Sequence, residues 1–332
     1  MWFASECSRN NARRRGFSKI EFGVGVGIVG TLIALLIPAL QKTREAERRN
    51  GCLNNLRQIG LGLHNFENAF NQLPPLYGGV ASEKDQASTK FPAIWGSTHV
   101  FLVPFMEASD LWNEMATGEP SNCLPSMLGD KNVPYFCCPS DPGIRDSATA
   151  GGTSYATNAQ VFAPLQNETV QGTGSMYAAP HPNYCDRGAR LSELRNGTSN
   201  TIGFTHSYSL CGSSTTGTSW AYTGGLNMPP SITPSTQPWS RATLIGQKGM
   251  LAPGDKVFQN QPSPYGQPFD GATSSGCDPS LPATPHANAM MVLLMDASVR
   301  SVTTSIDYKV WNEGCLPNND SRPAHGSWEG QP

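Results

Sequence analysis

The sequence predicts an α+β fold in which one long N-terminal helix packs on a mainly antiparallel sheet with long irregular loops. Three observations predict it. Phe22 to Leu40 is an apolar run of 19 residues. Leu53, Leu56, Ile59, Leu63, Phe66 and Phe70 then recur at steps of three and four, which is helical spacing. Beyond Pro75 the texture changes to short apolar runs set among Gly, Pro, Ser, Thr and Asn, which reads as strands and turns.

The elements follow in order. Residues 1–16 form a basic leader that carries Arg9 and Arg13-Arg14-Arg15. Residues 17–40 form an anchor: the 19 apolar residues make roughly 28 Å of helix, close to a hydrocarbon core of about 30 Å. A secretory signal peptide has a shorter apolar region, about 7–15 residues, with its cleavage site after it. Glu21 stands at the head of this run. A carboxylate at membrane depth costs roughly 2.5–3.5 kcal/mol and therefore calls for a partner. Lys19 is two residues away and faces elsewhere on a helix. A cut after Gly16 supplies the partner, because it leaves a new amine on Phe17, four residues before Glu21.

Inside the run, Gly25-Val26-Gly27-Ile28-Val29-Gly30 spells GxGxxG, but no strand precedes it and no acidic ribose ligand follows about 20 residues on. Gly23 and Gly27, then Gly30 and Ala34, instead give the small-residue spacing at which helices approach closely. Pro38 predicts a kink, and Gly51, Gly60 and Gly62 predict weak points further along. Residues 41–72 continue the helix as an amphipathic segment, which Pro74-Pro75 ends. Residues 73–332 make the β-rich globular domain. Its predicted strands are 100–105, 154–162, 201–207, 218–223 and 290–295 paired with 299–304, the last pair joined through Asp296-Ala297-Ser298. Asn196-Gly197 marks another turn.

Charge divides along the chain. Residues 1–70 hold ten Lys+Arg against five Asp+Glu, and residues 71–332 hold thirteen against twenty. An acidic exterior domain argues against nucleic acid as a partner. Nine cysteines suit an oxidising compartment. Removing the leader deletes Cys7 and leaves Cys52, Cys123, Cys137, Cys138, Cys185, Cys211, Cys277 and Cys315 as disulfide candidates, enough for as many as four bridges in any of 105 connectivities. There is no CxxC pair and no histidine cluster at ligand spacing, so zinc is not expected. Nor is catalysis expected, since Ser298, His286 and Asp296 make a triad only on paper in a chain this rich in serine. No cofactor is expected. Calcium is the one metal considered, with Asp296 and Asp307 as first candidate ligands and Asp278 and Asp320 as further ones; no EF-hand spacing exists.

The N-terminal segment, Arg15-Gly16-Phe17-Ser18 with Glu21 and the apolar run, resembles type IV prepilins and the pseudopilins of type II secretion. The whole chain resembles a large family of exported proteins of unknown function (the domain of unknown function 1559 type), abundant in planctomycete bacteria, that join a prepilin-type N-terminus to a characteristic C-terminal domain. The matching segments are 52–61, Leu73-Pro74-Pro75, Cys138-Pro139-Ser140-Asp141-Pro142, 154–158, 196–202, His286-Ala287-Asn288-Ala289 and 295–300. The chain departs at Ala297, where glycine is usual, and at His206, near where the family tends to carry Glu.

The resemblance implies a pilin-like fold, cleavage after Gly16 by a prepilin peptidase, N-methylation of Phe17, and assembly with like subunits or other pilins through Glu21. It also implies a single-pass protein of the cytoplasmic membrane, with the bulk of the chain periplasmic or extracellular. The alternative is a membrane-tethered module that binds polysaccharide or another extracellular ligand through Tyr177, Tyr184, Trp220, Tyr222, Trp239 and Tyr265.

Overall fold

The structure is a computed structural model that describes residues 18–79, 95–116, 131–145, 151–162, 190–211, 244–245, 256–263, 276–278 and 281–318. By its internal contacts the chain divides into two units, Met1–Glu47 and Arg48–Pro332.

Helix α1 runs Lys19–Phe70. It stays helical through Pro38 and through Gly51, Gly60 and Gly62, so none of these residues ends it. A proline withdraws one backbone donor while the ladder on either side stays intact. The glycines have a different role. A Cβ on Gly60 would lie 3.0 Å from both Ala297 Cβ and Leu293 Cδ1, and one on Gly62 would lie 2.8 Å from Met106 Cγ. Both positions let a neighbour pack directly on helix backbone. The amphipathic stripe behaves as its spacing predicts: Leu56, Ile59, Leu63 and Phe66 are buried.

After α1 come strands β1 (Tyr77–Gly79) and β2 (Trp95–Ser97), an antiparallel pair, then helix α2 (Thr98–Leu102), a 3₁₀ turn (Val103–Phe105) and helix α3 (Ser109–Ala116). The predicted strand at 100–105 is therefore helix and turn. Its apolar residues Val100, Phe101, Leu102 and Val103 are all buried, and a short, fully buried apolar run carries no periodicity that separates the two states. Helix α4 (Pro142–Arg145), strand β3 (Tyr155–Asn158), helix α5 (Ala159–Phe162), strand β4 (Ile202–His206) and the short strands β5 (Leu244–Ile245), β6 (Gln259–Asn260) and β7 (Ala283–Thr284) follow. The predicted strand at 154–162 thus stops at Asn158. Strands β8 (Ala289–Leu294) and β9 (Val299–Thr303) form the predicted hairpin, and helix α6 (Tyr308–Cys315) closes the described chain. The strand predicted at 218–223 lies outside the described residues.

The main sheet has the order β5-β3-β4-β8-β9, antiparallel except for the two-residue pairing of β3 with β5. Both of its faces are covered, which is why central β8 reads Ala-Met-Met-Val-Leu-Leu with every residue buried. Met291, Leu293 and Phe204 pack with Leu56, Ile59 and Phe66 of α1. Met290, Val292, Leu294 and Ile202 pack with Trp311 and Cys315 of α6. Asn158 fixes the second layer: its side-chain amide donates to the carbonyls of Ile202 (2.7 Å) and Cys315 (2.8 Å). The β4–β8 register shifts between Ile202 and Phe204, at Gly203, where a side chain would meet Met295 Sδ at 2.7 Å.

The β8–β9 turn explains the departure at Ala297. Its φ is 64°, in the left-handed region where glycine carries no Cβ penalty. Asp296 Oδ1 accepts from Ser298 N (2.8 Å), and Leu294 N bonds Ser298 O (2.8 Å), so the turn is tied regardless of the residue at its centre. Ala297 Cβ also fills the space above Gly60. Gly60→Ala should therefore destabilise the domain by about 1–3 kcal/mol through overpacking, despite alanine's better helix propensity. Ala297→Gly in the same chain should restore part of that loss. Urea unfolding of the two single variants and the double variant checks the coupling, and strict additivity would contradict the contact.

Candidate functional site

Two places carry chemistry. The first is the start of α1. Ser18 caps the helix: Ile20 N donates to Ser18 Oγ (3.4 Å), and Glu21 Oε2 accepts from Ser18 N (2.9 Å). This is a capping box, and the spacing Ser18-x-x-Glu21 ahead of an apolar run is the signal in the sequence that finds it. It holds the Glu21 carboxylate at the Ser18 amide. Gly16 and Phe17 themselves lie outside the described residues. Within this unit the apolar side chains are exposed, Ile20 at 78% and Phe22 at 69%, and none of the most apolar 18-residue stretch is buried. The helix is long and apolar enough to cross a membrane.

The second place lies inside the domain. Cys52 of α1 is disulfide-bonded to Cys138, which follows a 3₁₀ turn (Pro134–Phe136). His206, the last residue of β4, and His286, in the loop between β7 and β8, complete a buried group. One ligand atom from each of the four lies within 4.8 Å of the others. His286 Nε2 is 3.7 Å from Cys138 Sγ, and the two imidazole centroids are 5.3 Å apart. Among the described residues this is the one convergence of three or more Cys, His, Asp or Glu side chains suited to a metal. Spacing along the chain excludes a zinc site, yet the fold brings two cysteines and two histidines from four distant segments to one point. Spacing along the chain gives no sign of this convergence.

The surroundings fix this group. Tyr155 of β3 stacks on His206 with centroids 5.4 Å apart, and its hydroxyl donates to Cys52 O (3.4 Å). Cys138 N donates to Ser154 Oγ (3.0 Å), which in turn donates to Asp141 Oδ2 (2.7 Å). Asp141 also accepts from Ser209 N (2.8 Å) and Gly143 N (2.9 Å). Burial pushes its carboxyl pKa up, and these bonds oppose the rise. The Cys-Pro-Ser-Asp segment is thus a scaffold that presents Cys138 to the centre. His206 is wholly buried, and among the described residues neither of its ring nitrogens has a hydrogen-bond partner. Burial lowers its pKa well below the ordinary value, with further lowering from His286 and Arg49, so the ring is neutral.

The other candidate residues sit elsewhere. Cys211 and Cys277 form a second disulfide. Cys137 and Cys315 are free thiols, each pushed up to about 12 by burial, so four bridges are not formed. Cys123 and Cys185 lie outside the described residues. Of the calcium candidates, Asp296 holds the β8–β9 turn and Asp307 caps α6 by accepting from Lys309 N (2.7 Å); both are exposed and neither joins the buried group. Asp278 is buried beside Gln259, and Asp320 lies outside the described residues. His286 is in the buried group, while Asp296 and Ser298 bond each other in the turn. Tyr177, Tyr184, Trp220, Tyr222, Trp239 and Tyr265 all lie outside the described residues.

The chain matches the model of a family described as a protein of unknown function (DUF1559) over residues 41–309, and it belongs to that family. The match takes in all four residues of the buried group. No curated protein and no solved structure matches the chain.

Buried histidines also set an acid limit. His99 is wholly buried, bonded through Nε2 to Tyr155 O (3.1 Å), and burial lowers its pKa to about 4. The unfolded chain takes up this proton near pH 6.5 and the folded chain does not. The stability linked to His99 is therefore complete above pH 6.5 and is lost as pH falls toward 4, by roughly 3 kcal/mol for a shift of this size. The midpoint of denaturant unfolding should fall across that window. His99→Gln should flatten the fall while lowering stability at pH 7.

Proposed function

We propose that this member of the DUF1559 family is a membrane-anchored, pilin- or pseudopilin-like structural subunit that assembles into a cell-envelope fibre or secretion pseudopilus. The observation that carries the reading is the start of α1: a membrane-length apolar surface, exposed along its length, headed by one carboxylate held at the helix N-terminus. Basic residues flank the apolar run on both sides, so the resemblance to prepilins is what supports a cytoplasmic N-terminus and an exported domain, and two disulfides suit the oxidising side.

Prepilin peptidase cuts after Gly16, and Phe17 becomes the N-methylated first residue. Glu21 follows that amine by four residues in the sequence. In the membrane it offsets the amine of its own chain; in a fibre it neutralises the Phe17 amine of a neighbour while the apolar segments form the core. The contact is heterologous and does not close, so growth is open-ended. The domain is displayed outside and performs no catalysis.

Mass spectrometry of protein from the native host should find a mature chain that begins at N-methyl-Phe17, and a chain that still begins at Met1 sinks the reading. Glu21→Ala should leave membrane insertion intact and abolish fibres in electron micrographs of sheared cells. A cleaved chain that never forms fibres, with Glu21 intact, favours the tethered binding module instead.

A further inference from the structure

We propose that Cys52, Cys138, His206 and His286 are a redox-gated zinc site: oxidised, the two cysteines form the disulfide; reduced, all four residues bind one Zn²⁺. The inference is independent of fibre assembly. Its first support is geometry. Zn–S bonds of about 2.3 Å and Zn–N bonds of about 2.0–2.1 Å set a tetrahedron whose edges are roughly 3.8 Å between sulfurs, 3.6 Å between sulfur and nitrogen and 3.3 Å between nitrogens. The ligand atoms already lie within 4.8 Å of one another, and Cys138 Sγ is 3.7 Å from His286 Nε2. The sulfurs have to part by less than 2 Å from bonding distance, and a pair at the 4.8 Å limit has to close by about 1.5 Å or less.

The second support is His206. A buried imidazole with both nitrogens unpartnered among the described residues is unfavourable, and it does nothing for a disulfide that packs equally well against an apolar ring. A metal at the centre of the four residues gives one of those nitrogens a bond. The donor set selects the ion. Two thiolates and two imidazoles suit zinc, and the absence of any carboxylate among the four disfavours calcium and magnesium. Zn²⁺ with two thiolates and two neutral imidazoles also sums to zero charge, which a fully buried site tolerates.

The mounting is rigid on all sides. Cys52 is on α1 and His206 ends β4. Cys138 N is held by Ser154 Oγ, and His286 N donates to Thr284 Oγ1 (3.2 Å), which is itself bonded to Ala289 O (2.7 Å).

The chemistry balances with a dithiol as reductant. The dithiol gives two electrons and two protons to the S–S bond of Cys52–Cys138 and becomes a disulfide. Zn²⁺ then displaces the two thiol protons as it forms two Zn–S bonds. Oxidation by a disulfide reverses both steps and releases the ion.

The experiment uses the full chain in detergent, oxidised or reduced with a phosphine under anaerobic conditions, with Zn²⁺ and Co²⁺ as probes. The reduced chain should bind one Zn²⁺ per chain by elemental analysis, and Co²⁺ should give the intense visible bands of a tetrahedral S₂N₂ site. The oxidised chain should bind neither. His206→Phe keeps a ring against Tyr155 and removes two unpartnered nitrogens, so its oxidised form should melt at or above the parent's temperature. Its reduced form should bind Zn²⁺ at least 100-fold more weakly, as should His286→Ala.

If the reduced chain unfolds without metal, Zn²⁺ should restore its thermal transition, and should fail to do so in His206→Phe. Zinc uptake unchanged in both histidine variants overturns the proposal. So does a reduced chain that binds no zinc while folded, or that stays unfolded with zinc present.

Discussion

The bond between Cys52 and Cys138 joins the amphipathic half of α1 to a loop 86 residues further along, and most of the domain is arranged around it. In the chain-entropy view, closing a loop of that length removes roughly 4.5 kcal/mol of freedom from the unfolded chain. Its structural effect is as large. It fixes the face that α1 turns to the sheet, and the same face carries Leu56, Ile59, Leu63 and Phe66 into the core. Gly60 then meets Ala297, and the helix backbone lies against the β8–β9 turn.

Polar groups complete what the apolar ones begin. Asp141 is buried, yet three donors from Ser154, Ser209 and Gly143 satisfy it, and it thereby ties the cysteine loop to the strands behind it. Gly143 is held tightly enough that a Cβ there would meet Ser209 Oγ at 2.5 Å and Leu210 N at 2.9 Å. Asn158 does for α6 and β4 what Asp141 does for the cysteine loop. Among the described residues the hydrogen-bonded network leaves both ring nitrogens of His206 outside it.

The long helix illustrates how one sequence feature takes two meanings. Glycine at positions 23, 27 and 30 meets nothing within 4 Å in its unit, and those positions are open to another helix. Glycine at positions 60 and 62 is already spent on contacts inside the domain. Local composition treats the two sets alike; only the neighbours distinguish them. An apolar run long enough to cross a membrane is joined in one helix to an amphipathic continuation that supplies a core-forming stripe, and the hydrogen bonds of Ser18 and Glu21 start the helix where the apolar run begins.

The amino-acid sequence alone determined the helix with its apolar and amphipathic halves, through periodicity over a long window, and the β8–β9 hairpin and β4, through short apolar runs bounded by turn residues. Hydrophobic spacing fixes such elements because each residue's environment follows from its place in a regular repeat. The run at 100–105 was not legible as helix and turn, because its buried stretch 100–103 shows no polar face to reveal its period. The tertiary structure alone decided the cysteine pairing and the meeting of Cys52, Cys138, His206 and His286. Those residues come from a helix, a loop after a turn, a strand end and an inter-strand loop, so no spacing along the chain encodes their proximity. Packing of α1 across the sheet is what brings them within one coordination radius.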